Sequence, residues 1–169
     1  MDDKLIKKIV DGVVSEYSRR EKATVGEMTK KTVTLSKALE LCEAVKQRAA
    51  EIGVRAVVCV SDSGGHPILV ECMDDAYIAS YDVAVNKAFT VVALKMSTAT
   101  LKPLAQPGES LYGIQFTNEG KIVIFGGGEV LKANDVIIGA LGVSGGSAQQ
   151  DSDLAAYGKS IFEEVIACL

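Results

Sequence analysis

The chain has 169 residues, 48% hydrophobic and 24% charged, which is enough apolar content for one ordinary domain core and too much for a disordered chain. A net charge of -4, no Trp and 5% aromatic residues exclude the basic, stacking surface that holds single-stranded nucleic acid. No apolar run reaches the roughly 18 residues of a membrane span and no signal-like segment opens the chain, so no membrane partner is expected and the expected location is cytoplasmic.

Residues 1–20, MDDKLIKKIVDGVVSEYSRR, set Leu5, Ile6, Ile9, Val10, Val13, Val14 and Tyr17 at helical spacing, with Lys7, Lys8, Asp11, Ser15, Glu16 and Arg19 on the other face. This predicts an amphipathic helix. Residues 21–31, EKATVGEMTKK, are polar and aperiodic and include Gly26, the composition of a linker. So short a helix is marginal in isolation, and its apolar stripe requires a partner.

Thr34 is the expected N-cap of the next helix, which carries Ala38, Leu41, Cys42, Val45, Ala49 and Ile52 on one face and stops at Gly53. The β-branched run from Val54 to Asp62 and the segment His66 to Cys72 form a hairpin turning at Ser63-Gly64-Gly65. From Ala76 to Met96, small and branched residues at near-helical spacing predict a closely packed helix. Pro103 and Pro107 make Ser97 to Lys121 irregular.

Three further extended segments are expected: Ile122 to Phe125, Glu129 to Lys132 and Val136 to Val143. A flexible Gly126-Gly127-Gly128 turn and an Ala133-Asn134-Asp135 turn separate them. Gly139 and Gly142 inside the last strand mark close approach of a neighbouring backbone or a ligand. A final helix presents Leu154, Gly158, Ile161, Phe162, Val165 and Leu169. Hairpins with short turns require antiparallel pairing. The expected sheet is therefore largely antiparallel with helices packed on it, in one domain over 32–169.

Cys42, Cys59, Cys72 and Cys168 form no C-x-x-C pair and lie in apolar segments, so buried reduced thiols are expected. His66, the single histidine, sits at a hairpin turn and is expected on the surface. Gly142-Val143-Ser144-Gly145-Gly146 precedes a helix, where backbone N–H groups can hold a carboxylate or phosphate; the ordinary alternative is a tight strand-to-helix turn. Asp62 and Met73-Asp74 can supply polar groups to a cleft, the ordinary alternative being caps and turn formers, and Lys87 lies among small apolar residues, either partly buried or snorkelling outward.

Taken together, Val60-Ser61-Asp62-Ser63-Gly64-Gly65, Met73-Asp74, Lys87-Ala88 with Thr90 and Thr98, Gly126-Gly127-Gly128, and Ile138 to Gly146 followed by Gln150-Asp151 resemble the GlcG/HbpS-like family, which includes the C-terminal domain of PduO. The resemblance spans Thr32 to Leu169. It implies an α/β (α+β) fold, a roughly five-stranded, largely antiparallel sheet flanked by helices, in a homo-oligomeric protein that binds a small molecule, with haem and cobalamin-related roles in different members. The implied cofactor-binding set is Asp62, Met73, Asp74, Lys87, Thr98, Gly127, Gly128, Ser144, Gly145 and Gly146. No catalytic residue is implied.

The chain departs from the family pattern at Cys72, where arginine is common, at Asp75, where glycine is usual, and at Glu129, where proline is frequent. Leu35 to Ile52 lacks the histidine that some PduO-type domains offer to haem iron. Residues 1–20 resemble the encapsulation peptides that carry cargo into bacterial microcompartments, which implies a shell protein as partner; the alternative is a stripe buried on its own domain or between subunits. Two other functions fit the family: an enzyme acting on a small diol, aldehyde or glycolate-related metabolite through Asp62, Lys87 or His66, and a structural adaptor.

Overall fold

The computed structural model describes residues 32–166, apart from the side chains of Val165 and Ile166. The expected helix at 1–20, the linker at 21–31, Cys168 and Leu169 lie outside the described residues. In chain order the elements are α1 (Leu35–Glu51), β1 (Val57–Asp62), β2 (Pro67–Cys72), α2 (Ile78–Leu94), α3 (Thr98–Leu104), β3 (Gly128–Ala133), β4 (Val136–Ser144) and α4 (Ala148–Ile161). A π-helical turn, Phe162–Ile166, continues α4.

The four strands run in the order β2-β1-β4-β3, each antiparallel to its neighbours. Two hairpins, β1–β2 and β3–β4, are thus joined through the central β1–β4 pair, which aligns Val57 with Ser144 and Asp62 with Gly139. The side-chain alternation of β1 divides the core. Val58 and Val60 face a cluster built with Leu41, Val45, Leu141, Leu154 and Phe162 from α1, β4 and the α4 end. Val57 and Cys59 face the other cluster, with Ala84, Ala88 and Val91 of α2 and Ala140 of β4. Helices therefore cover both faces, and β1 is buried along nearly its whole length.

Local chemistry fixes the ends of the helices. The Thr34 hydroxyl accepts from the Lys37 N–H at 3.4 Å to start α1, and Gly53 ends it at φ 71°. In α4, Ser147 and Gln150 form a reciprocal capping box. Val33 N–H donates to the Ile138 carbonyl at 3.1 Å, which ties the entry of α1 to β4.

One expected strand is missing among the described residues, so the sheet has four strands rather than five. Ile122 to Phe125 runs as irregular backbone. Its Val123 N–H donates to the Thr90 hydroxyl at 2.9 Å, a side-chain partner taking the place of a ladder bond. Ser97 to Lys121, expected to be irregular, holds the short helix α3, capped by the Ser97 hydroxyl on the Thr100 N–H at 3.1 Å. Gly126 to Gly128, expected to be a flexible turn, is buried.

Small residues set the spacing of α2 over the sheet. A Cβ at Gly142 would strike the Ala84 carbonyl, and one at Gly139 would strike the Ser61 carbonyl. Of the two explanations that interior glycines allow, a neighbouring backbone is the one realised here.

Candidate functional site

Lys87 is wholly buried, projecting from α2 beneath the glycine loop. Its Nζ donates to Asp151 Oδ2 of α4 at 2.8 Å and to the Val143 carbonyl of β4 at 2.7 Å, and the Phe125 ring centroid lies 5.0 Å away. Burial pushes the ammonium pKa down, while the charge and hydrogen bond of Asp151 oppose that shift. Gly127 closes over this pair at φ 113°; a Cβ there would lie 2.6 Å from Lys87 Nζ and 2.7 Å from the Val143 carbonyl. The Thr98 hydroxyl accepts from the Gly128 N–H at 2.9 Å. Lys87, Thr98, Gly127 and Gly128 therefore converge, and hydrogen bonds and close packing hold them together.

Asp151 has a second duty: its Oδ1 accepts from the Gly146 N–H at 2.9 Å. The Ser147 N–H is taken by Gln150 Oε1, also at 2.9 Å. Two of the N–H groups at the α4 start are thus engaged by side chains of the same helix. Ser144 is buried beneath this turn, with its hydroxyl 3.2 Å from that of Ser80.

The surface beyond this turn carries two clefts at one end of the sheet. The larger, about 480 Å³, lies between Gly53, Val54 and Arg55 on one side and Gly145, Gly146 and Ser147 on the other, with Asp75, Tyr77 and Gln150 completing it. The smaller, about 420 Å³, is lined by Glu43, Lys46, Gln47, Ala50, Arg55, Cys72, Met73 and Asp74. Met73, Asp74, Gly145 and Gly146 of the expected set therefore gather around Arg55. Met73 Sδ accepts from the Ala56 N–H at 3.3 Å. Asp75 sits at φ 63°, in the left-handed region that suits the glycine usual in the family pattern.

Asp62 stands apart, at the tip of the β1–β2 hairpin. Its Oδ1 accepts from the N–H groups of Gly64 at 2.7 Å and His66 at 2.9 Å, and its Oδ2 lies 3.3 Å from His66 Nδ1. Burial pushes the carboxyl pKa up, but these hydrogen bonds and the His66 ring outweigh it and hold the group below the usual carboxylate range. The His66 side chain is 82% exposed. Lys87 meets β4 at Val143, which pairs with Val58, whereas Asp62 pairs with Gly139. The three groups named for proton transfer thus fall into two separate places.

Cys42 and Cys59 are free and buried, and desolvation pushes each thiol pKa up to about 12. Cys72 differs from the expectation of burial: it is exposed at the end of edge strand β2, beside the smaller cleft.

Two residues of this region escaped the sequence reading. Asp151 stood inside a noted motif, but a lone acid in a helix's first turn reads as a dipole partner until its contact with Lys87 is seen. Arg55 interrupts a β-branched run with a charge, Val54-Arg55-Ala56; that break was the available signal.

The family model described as haem degrading protein HbpS-like matches residues 33–159. The chain is 45% identical over 134 residues to an uncharacterized 15.0 kDa protein in the dhaT-dhaS intergenic region of Citrobacter freundii, covering 79% of this chain and 94% of that protein. It is 41% identical over 116 residues to the corrinoid adenosyltransferase PduO of Salmonella typhimurium, covering 69% of this chain and only 34% of the relative. It is also similar to a crystal structure of a PduOC:heme complex, with TM-score 0.74 and 37% identity over 76% of this chain and 94% of that one. No helix among the described residues is long and apolar enough to cross a membrane.

Proposed function

The chain belongs to the HbpS-like family, and on that premise we propose that it is a homo-oligomeric accessory protein that binds a haem-type tetrapyrrole in the clefts around Arg55. The observation that carries this reading is the similarity to a PduOC structure solved with haem, which extends over most of both chains.

The donor set at the clefts suits the group. Cys72 and Met73 bring sulfur to the smaller cleft and Tyr77 brings a phenol to the larger; thiolate, thioether and phenolate all ligate haem iron in proteins. His66 stands at the opposite end of the hairpin, since Cys72 pairs with Val57 while the turn lies beyond Ser61. Imidazole ligation from this chain is therefore not part of the proposal. When bound, haem supplies one-electron and oxygen chemistry, while the protein positions it and sets its access to water. Of the rest of the expected set, Lys87 supports the turn that borders the larger cleft through Asp151, Ser144 leads into that turn, and Thr98, Gly127 and Gly128 form the packed glycine loop over Lys87; Asp62 shapes the distant hairpin.

A corrinoid is the second ligand class, favoured by the identity with PduO; because this chain spans about a third of that relative, adenosyl transfer is not carried over. We further propose a microcompartment location, with residues 1–20 engaging a shell protein, on the strength of their encapsulation-peptide-like pattern.

Titration of the full chain with haemin, and separately with cobalamin, tests the proposal. A saturable Soret change at micromolar haemin supports it. A folded protein that shifts neither spectrum overturns it. Deleting residues 1–20 should abolish co-localisation with shells while haemin binding persists.

A further inference from the structure

Arg55 differs from Lys46, the other cation lining the two clefts, and from Lys87 buried behind them, in having no carboxylate of its own. Lys46 is neutralised by Glu43 and Glu71, each at 2.9 Å, and Lys87 by Asp151. Among the described residues, no ion pair and no hydrogen bond engages the Arg55 side chain, although Asp74 and Asp75 line the clefts it borders. The guanidinium is exposed, but its backbone is fixed. Val54 and Ala56 on either side are buried, and the Gly145 turn rests so closely on the Arg55 carbonyl that a Cβ at Gly145 would strike it.

Electrostatics and shape then converge on one position. Apart from Arg55, the charged groups lining the clefts are Glu43, Asp74, Asp75 and a Lys46 already paired with Glu43 and Glu71, so the guanidinium is the unpaired cation among the described residues of that lining. That group is planar and presents a fork of donors suited to both oxygens of a carboxylate. Beside it, Tyr77 is 73% exposed and offers a flat apolar face to a conjugated ring.

We infer that Arg55 is the specificity-determining anchor of the clefts, receiving a side-chain carboxylate of an acid-bearing macrocycle. This rests on the haem reading above and adds to it the group that selects free-acid porphyrins over neutral ones.

The test compares haemin with its dimethyl ester, in which both carboxylates are neutral, for the full chain and for Arg55→Ala and Arg55→Lys. Each protein is first shown to have an unchanged melting temperature, as replacement of an exposed side chain allows. The inference expects Arg55→Ala to weaken haemin binding by about tenfold or more. Arg55→Lys, which keeps the charge without the fork, should fall between. All three proteins should bind the ester alike. If the unaltered chain binds haemin but Arg55→Ala binds it equally well, or if Arg55→Ala weakens acid and ester by the same factor, the anchor role is overturned while haem binding stands. If the unaltered chain binds neither compound, the haem reading itself falls.

Discussion

Lys87 Nζ and Asp151 Oδ2, 64 residues apart in sequence, meet at 2.8 Å in a space closed to solvent. The pair joins α2 to the start of α4, and through the Val143 carbonyl and the Gly146 N–H it also holds the end of β4 and the turn that borders the larger cleft. It is a structural clamp behind the clefts.

Removing one partner strands a buried charge. Lys87→Met is expected to cost about 3–5 kcal/mol of stability in urea denaturation. Asp151→Asn in the Lys87→Met background should cost less than it does alone, because the carboxylate left without its cation is then neutral; a double-mutant cycle measures this coupling. A loss below about 1 kcal/mol for Lys87→Met, the range of exposed pairs, would contradict the clamp.

Gly142→Ala should destabilise by about 1–3 kcal/mol or more, the cost of overpacking a closed core. The obstruction is the Ala84 carbonyl and the Ala88 N–H, which are backbone groups. Ala84→Gly is therefore expected to leave the defect uncorrected, whereas rescue would show that a side chain was the obstacle. Thermal unfolding of the two variants decides this.

Asp62 gives the hairpin a pH dependence of known sign. Its folded pKa is depressed, so its contribution is complete above the unfolded value of about 3.9 and is lost as pH falls through the lower folded value. Acid titration followed by circular dichroism should show Asp62→Asn with a shallower loss of stability below about pH 4. An identical slope for both proteins would remove Asp62 from the balance.

The legible parts of this fold were those governed by local rules. Thr34 and Gly53 bracket α1 because a side-chain acceptor and a left-handed residue are readable one position at a time. The same holds for the β1–β2 turn and for the glycines of β4. Ile122 to Phe125 differs from its expected strand because a short continuous apolar run matches one, while the Thr90 hydroxyl that accepts from the Val123 N–H lies 33 residues earlier in sequence. The candidate site divides likewise. Met73, Asp74 and the Gly145-Gly146 turn were visible as motif residues, but the burial of Lys87 depends on Asp151, and the place of Arg55 between two clefts depends on α1, β2 and α4 meeting at one end of the sheet.

Occupancy of the clefts around Arg55 by a tetrapyrrole can be read at Cys72. This thiol is exposed beside the smaller cleft, while Cys42 and Cys59 are buried, with pKa values near 12 that keep them unreactive at neutral pH. Alkylation by iodoacetamide, followed by mass spectrometry of the Cys72 peptide with and without redox-inert gallium protoporphyrin, reads the occupancy of that surface. Saturating porphyrin is expected to slow modification of Cys72 at least several-fold. An unchanged rate with porphyrin demonstrably bound would place the ligand elsewhere and contradict that occupancy.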